Sequence, residues 1–220
     1  MWYKVKRIRV GTKIVRPIPQ REVLSSTQCY YPFQENNIDK TGKTSLSSWW
    51  TKETWWYRFQ NTSLTFSWDD SVSTFCSFWI KVNSNIEQVS SDSWINGIWV
   101  TRKWAMCLNL NHKNSWFVNT IQFWDWSTWY KSGAWLTKWQ WYHVAFWFNW
   151  SQAYMYINWI KTIIKTGSSY RNTSGDYKYI INYQWWHAID VVIADFIKDT
   201  VDRESDIIPF YNDSKSRYWL

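Results

Sequence analysis

The stretch WYHVAFWFNWSQAYMYINWIK, residues 141–161, alternates its side chains over two runs of strand length with Asn149-Trp150 between them. A period of two sends successive side chains to opposite faces of an extended chain, which is the geometry of a β-sheet. Two such runs joined by a two-residue turn make an antiparallel hairpin. The signature recurs, and residues 4–10, 28–33, 56–59, 63–66, 73–82, 98–103, 105–111, 115–123, 177–181 and 188–197 read as further strands between polar connectors. Within 73–82, Phe75, Ser77, Trp79 and Lys81 share one face. Cys76, Phe78, Ile80 and Val82 share the other, which is the face expected to meet the core. Many short strands with turn signals between them predict an all-β fold, a two-sheet antiparallel jelly-roll sandwich. TVDRESDIIPFYND, residues 200–213, adds a short C-terminal helix with Thr200 as its candidate N-cap, and Pro209 limits it to a short helix or a pair of turns.

The turns raise a difficulty. A tight hairpin turn wants Asn-Gly, because its central residues need φ > 0 and glycine has no Cβ to clash there. Here Trp follows Asn at Asn149-Trp150 and Asn158-Trp159, follows Ser at Ser67-Trp68, and doubles at Trp49-Trp50 and Trp185-Trp186. The chain holds 23 Trp and only 6 Gly. At average usage of about 7%, a chain of this size carries roughly 15 glycines. The surplus and the deficit mirror each other. One reading is that many of these Trp are glycines in the living organism, because some bacterial lineages and their viruses read UGA as glycine. Trp79 and Trp141 lie inside strand runs and read as true tryptophans. The other reading is that all 23 are real and form an aromatic binding surface.

The formal charge is +8, and much of the excess lies in residues 1–22, where Lys4, Lys6, Arg7, Arg9, Lys13, Arg16 and Arg21 face only Glu22. Such an arm suits either an acidic assembly partner or an exposed strand edge protected by its charges. Nucleic acid is not the expected partner. No apolar run reaches the ~20 residues of a bilayer span. The basic start lacks the continuous apolar run of a signal peptide, so synthesis in the cytoplasm is expected. Cys29, Cys76 and Cys107 have no CxxC spacing, and their odd number leaves no complete disulfide framework; buried thiols are expected.

Four segments together resemble laminin-G-like domains of the concanavalin A-like lectin/glucanase superfamily. CYYPFQENNIDKTGKTS (29–45) resembles the opening strand and an Asp-x-x-Gly loop. LTFSWDDSVSTFCSFWIKV (64–82) resembles the strand–Gly-Asp-Asp–strand entry, with Trp68 at the glycine. LTKWQWYHVAFWFNWSQAYMYINWIK (136–161) is similar to the family hairpin Gly-x-Trp-x-His-Val, Asp/Asn-Gly, Tyr-x-Asn-Gly. There Trp139, Trp150 and Trp159 fall on the glycines and Trp141 on the tryptophan. WWHAIDVVIADFIKDTVDRESDIIPFY (185–211) resembles the final strand and trailing helix. The resemblance implies a basic arm over residues 1–27 and one jelly-roll domain over 28–220. It also implies calcium as the cofactor to look for, with Asp39, Asp69, Asp70 and Asp190 as its loop ligands; Asp and Asn form turns without any metal as well.

Catalytic motifs are missing. A retaining glucanase of this superfamily carries two carboxylates about 5–5.5 Å apart from Glu-x-Asp-x-x-Glu. Glu22, Glu35, Glu53, Glu87 and Glu204 offer no such spacing. His112, His143 and His187 are widely spaced without a nucleophile motif, and His143, inside a strand run, reads as a packed core residue. The expected function is therefore a non-catalytic recognition or adhesion module, a lectin-type domain binding a glycan or a protein surface. It would be displayed on a phage-type particle or a cell surface. The alternative is a structural virion protein without ligand binding, and a polysaccharide-acting enzyme ranks behind both.

Overall fold

A computed structural model describes residues 8–10, 13–15, 21–31, 40–42, 51–53, 56–59, 64–66, 74–83, 97–101, 107–110, 121–124, 129–131, 136–149, 151–166, 178–180 and 190–218. In chain order the strands are β1 (Ile8–Val10), β2 (Lys13–Val15), β3 (Thr27–Tyr31), β4 (Thr51–Glu53), β5 (Trp56–Phe59), β6 (Leu64–Phe66), β7 (Thr74–Val82) and β8 (Gly97–Thr101). There follow β9 (Cys107–Leu110), β10 (Ile121–Trp124), β11 (Trp129–Lys131), β12 (Trp141–Phe148), β13 (Gln152–Ile157), β14 (Ile160–Thr166), β15 (Lys178–Ile180) and β16 (Val191–Asp199). Helix α1 (Glu204–Ser214) and a 3₁₀ turn, Lys215–Arg217, close the chain.

The fold is a two-sheet antiparallel sandwich. One sheet runs β11-β10-β9-β8-β15-β6, and the larger runs β14-β13-β12-β7-β16-β5-β4. Strand β3 shares an edge of β16 with β5: Val191–Ile193 pair with β5, and Phe196–Asp199 pair with β3. β1 and β2 pair with each other. The expected spans 56–59, 141–148 and 152–157 coincide with β5, β12 and β13. Strands β2, β4, β11 and β14 were not expected; β4 and β11 are only three residues each, too short for alternation to register.

Register explains the core. Pairing of β12 with β7 sets Trp141, His143, Ala145 and Trp147 beside Lys81, Trp79, Ser77 and Phe75 on one face. Cys76, Phe78, Ile80, Val144 and Phe146 take the other face and are all buried. That is the face the alternation assigned to the core. The first face is a second core, because α1 lies over it. Ile207 joins Tyr30, Phe75, Ala145, Trp147, Tyr154, Tyr156 and Ile197, while Phe210 and Tyr211 join Trp79, Trp141, Val192, Ala194 and Tyr218. Strands covered on both sides lose the inside–outside contrast that a half-buried strand shows.

Helix α1 is the expected short C-terminal helix, and it runs through Pro209 for eleven residues in all. An interior proline removes a backbone donor and costs about 3 kcal/mol. Pro209 stands on the exposed side of α1, so burial of Ile207, Phe210, Tyr211 and Ser214 on the opposite side offsets the lost bond. Thr200 is not the cap. Arg203 occupies that position without a side-chain bond, and Asp202 Oδ1 accepts the Glu204 N–H at 2.9 Å instead.

The tryptophans divide. Trp79 is 0% exposed, its indole N–H donating to Ser214 Oγ at 3.1 Å, and Trp141 is 4% exposed against Tyr218. Trp139 is 67% exposed and has φ 67°, in the left-handed region where a Cβ crowds the carbonyl. Trp159 is 56% exposed, but it is its neighbour Asn158 that takes the positive φ, at 57°. Asn158 is tied to β12 on both sides, donating N–H to His143 O at 2.7 Å and accepting the His143 N–H on Oδ1 at 2.9 Å. Trp147 is buried with an unpartnered indole N–H. Trp49, Trp50, Trp68, Trp150, Trp185 and Trp186 lie outside the described residues.

Two substitutions with opposite signs follow. Trp139→Gly removes left-handed strain and raises stability by about 1 kcal/mol, whereas Trp79→Ala empties the second core and costs about 3–5 kcal/mol, both read by urea unfolding.

Candidate functional site

Polar groups gather where α1 and residues 21–26 meet the covered face of the larger sheet. Strand β16 supplies two buried aspartates by different local devices. Asp195 and Phe196 stand opposite the single residue Phe78, a β-bulge, and Asp195 takes φ 51°. A bulge re-aims a side chain. Asp195 Oδ2 accepts from Tyr218 OH at 2.8 Å and Arg217 Nη1 at 3.3 Å. Asp199, at the end of the strand, accepts from Thr27 Oγ1 at 2.8 Å, the Thr200 N–H at 2.7 Å and Arg203 Nη1 at 3.5 Å. Arg203 in turn donates Nη1 to Glu22 O at 2.9 Å and Nε to Asp206 at 2.8 Å. One guanidinium therefore ties the entry to β3, the exit of β16 and the first turn of α1.

Above it, Arg21 reaches into the same seam. Its Nη2 donates to Ser77 Oγ at 2.7 Å and to His143 Nε2 at 3.1 Å, with the guanidinium carbon 3.6 Å from the Phe210 ring centre. Ser77 Oγ itself lies 2.7 Å from His143 Nε2. Burial pulls the Arg21 guanidinium down to about 10 and pushes the Tyr30 hydroxyl up to about 12. His143 is held well below its ordinary value, first by burial and then by the Arg21 charge.

A serine at hydrogen-bond distance from an imidazole suggests a nucleophile and its base. Such a base is oriented by a third group on its other nitrogen, and here Nδ1 is buried without a partner. The guanidinium donates to the nitrogen that would have to take the serine proton. The expectation that His143 packs in the core holds. Its polar neighbours were not legible, because Arg21, Ser77 and His143 are far apart in sequence and no short motif links them.

A second cluster joins the β13–β14 hairpin to the start of α1. Tyr154 OH donates to Asp202, Tyr156 OH donates to Glu204 at 2.7 Å, and Lys161 pairs with Glu204. Lys161 Nζ also lies 4.8 Å from the Tyr154 ring centre. For Glu204, burial pushes its proton affinity up, but the bonds from Lys161 and Tyr156 outweigh it and hold the carboxyl below its ordinary value.

Of the proposed calcium ligands, Asp39, Asp69 and Asp70 lie outside the described residues. Asp190 accepts from Asn83 Nδ2 at 3.3 Å, and its carbonyl accepts the Asn83 N–H at 2.8 Å. No group of three metal-ligating side chains occurs among the described residues. Cys29 and Cys76 are buried thiols as expected, and burial pushes Cys76 up to about 12. No helix among the described residues is long and apolar enough to cross a membrane.

The Glu204 carboxyl, depressed on folding, stabilises the protein above its ordinary titration range and loses that contribution as pH falls through its folded value. The pair is about one-third exposed, so Glu204→Gln costs only about 0.5–1 kcal/mol at neutral pH, falling with added salt and vanishing in acid, as urea titrations will measure.

No protein-family profile matches the chain, and no curated protein matches it in sequence. Solved structures do match in fold. Domain 4 of AbnA, a GH43 extracellular arabinanase from Geobacillus stearothermophilus, solved with arabinotriose, superposes with TM-score 0.61 at 14% identity, over 84% of this chain and 98% of that one. The binding domain of Paraclostridial Mosquitocidal Protein 1 gives 0.63 at 12% identity, over 85% and 52%. The binding domain of Botulinum neurotoxin DC, in complex with rat synaptotagmin II, gives 0.59 at 13% identity, over 85% and 51%. The chain thus spans about half the length of the toxin domains it resembles.

Proposed function

We propose that this protein is a non-catalytic recognition module that binds a glycan or a protein surface through the loops at one rim of its sandwich. The observation that carries this reading is the shared architecture: the same sandwich is found in a domain solved with arabinotriose and in one solved with synaptotagmin II. The lack of a glucanase carboxylate pair in the sequence and of an oriented base beside Ser77 agrees with it. Within that architecture we read the chain as laminin-G-like, on the sequence likeness of residues 136–161 and 185–211 to that pattern. Calcium, held by Asp39, Asp69, Asp70 and Asp190, would order the rim by binding hard oxygen ligands.

The wider setting we propose is a particle or cell surface, with the basic residues 1–22 docking on an acidic neighbour. An origin in a lineage that reads UGA as glycine fits the exposed, left-handed Trp139. Recognition at the rim then rests on residues other than the turn tryptophans.

A glycan array probed with the full chain, followed by calorimetry on the best ligand with and without a chelator, tests the reading. Saturable binding of a glycan class, weakened by chelation, is the expected result. A chain silent on glycans and on extracellular protein panels loses the recognition reading. Intact mass of protein from its natural source tests the recoding: each recoded position is lighter by one indolylmethyl group, and a mass matching all 23 Trp refutes it.

A further inference from the structure

The structure leaves one buried arrangement unexplained by recognition at the rim, the contact of Arg21 with His143. We propose that Arg21, Ser77 and His143 form an acid-sensitive latch, in which the Arg21 guanidinium is seated against Phe210 of α1 and leaves when His143 takes a proton.

The argument starts from donors and acceptors. Arginine carries only donors, so an Arg21 N–H can bond His143 Nε2 only while that nitrogen is unprotonated. The imidazole is therefore neutral in the latched state, with its proton on the buried, unpartnered Nδ1. Adding a proton to Nε2 sets donor against donor and cation against cation at 3.1 Å. Like charges this close in a dry seam cannot both persist.

Among the described residues no carboxylate bonds the imidazole. Around the imidazole stand Ser77 and Trp79 from β7, Phe210 and Tyr211 from α1, Asn158 from the hairpin turn, and Arg21. The acids nearest Arg21 are committed elsewhere: Asp195 to Tyr218 and Arg217, and Asp206 to Arg203. Arg203 adds a further positive charge, and Tyr30 OH accepts the Arg21 backbone N–H at 3.4 Å.

Departure of Arg21 relieves the conflict at its source. The guanidinium is the plug, and without it water reaches Nε2 and Ser77 Oγ can accept the new N–H. Both influences that keep the imidazole neutral, burial and the Arg21 charge, fall together. The hinge is set by the next anchors. Arg203 holds Glu22 O at 2.9 Å, and Leu24 N–H donates to Thr27 Oγ1 at 2.9 Å. Release stops at Glu22, and β3 keeps its place in the sheet.

The test uses the full chain, comparing hydrogen exchange of the residue-21 amide, which donates to Tyr30 OH at 3.4 Å, with the same amide in Arg21→Met. Measurements are made at about pH 7.5 and about pH 5, an interval in which histidine titrates and ordinary carboxylates do not. The expected result is exchange at least ~10-fold slower in the wild type at the higher pH and equal at the lower one. His143→Gln, which cannot take the proton, is expected to keep that protection at both. Protection that survives acid in the wild type, or that acid removes equally from His143→Gln, overturns the latch. A second measurement needs no His143 variant. Arg21→Met is expected to raise the His143 titration midpoint, followed by imidazole NMR, by ~1 unit or more, and an unmoved midpoint overturns the proposal.

Discussion

The fold depends on covering the second face of the larger sheet. Strands β7, β12 and β16 carry Trp79, Trp141, Ala194 and Ile197 on that face, and none of these tolerates water. Helix α1 supplies the cover through Ile207, Phe210 and Tyr211. Trp79 stacks between Tyr211 and Tyr218, with ring centres 5.6 Å and 4.2 Å away, and its N–H reaches Ser214. One indole thus sets the position of the helix, the last turn and the sheet together. Each apolar side chain buried here contributes about 1.5–3 kcal/mol, enough to carry a helix across Pro209.

Charge is placed to support that cover. Asp195 and Asp199 sit on β16 a bulge apart, and each meets a guanidinium from the C-terminal segment, Arg217 or Arg203. Buried pairs of this kind add little net stability compared with apolar packing, but removing one partner strands the other without water. Their effect is specificity of docking: α1 fits in one position because the carboxylates accept donors from that position alone. Arg21 differs, since its side-chain hydrogen bonds among the described residues go to an imidazole and a hydroxyl and not to a carboxylate. The seam accordingly has a firmly paired half at Arg203 and a titratable half at His143.

Legibility followed periodicity and failed with its absence. β12 and β13 were placed to the residue because their alternation is unbroken and a polar turn separates them. β7 was placed with the correct division of faces, but its alternation assigned only the Cys76, Phe78, Ile80 and Val82 face to a core and said nothing of a cover over Ser77 and Trp79. The resemblance set Trp139 on a glycine of the family hairpin, and the structure gives that residue a φ of 67°. At Asn158-Trp159, read as a turn needing positive φ, it is Asn158 that takes the left-handed conformation, through bonds to His143 on a third strand. The polar seam was not legible at all, since its members come from both ends and the middle of the chain.

By itself the sequence determined the class of structure. Period-two alternation, turn residues and a terminal amphipathic segment admit an antiparallel β-sandwich with a short helix. Only the tertiary structure decided that the sheet has two buried faces, that the helix survives its proline, and that Arg21 meets His143. Alternation is a local signal set by the pleat of one strand, whereas burial of a face depends on which distant segment comes to lie over it.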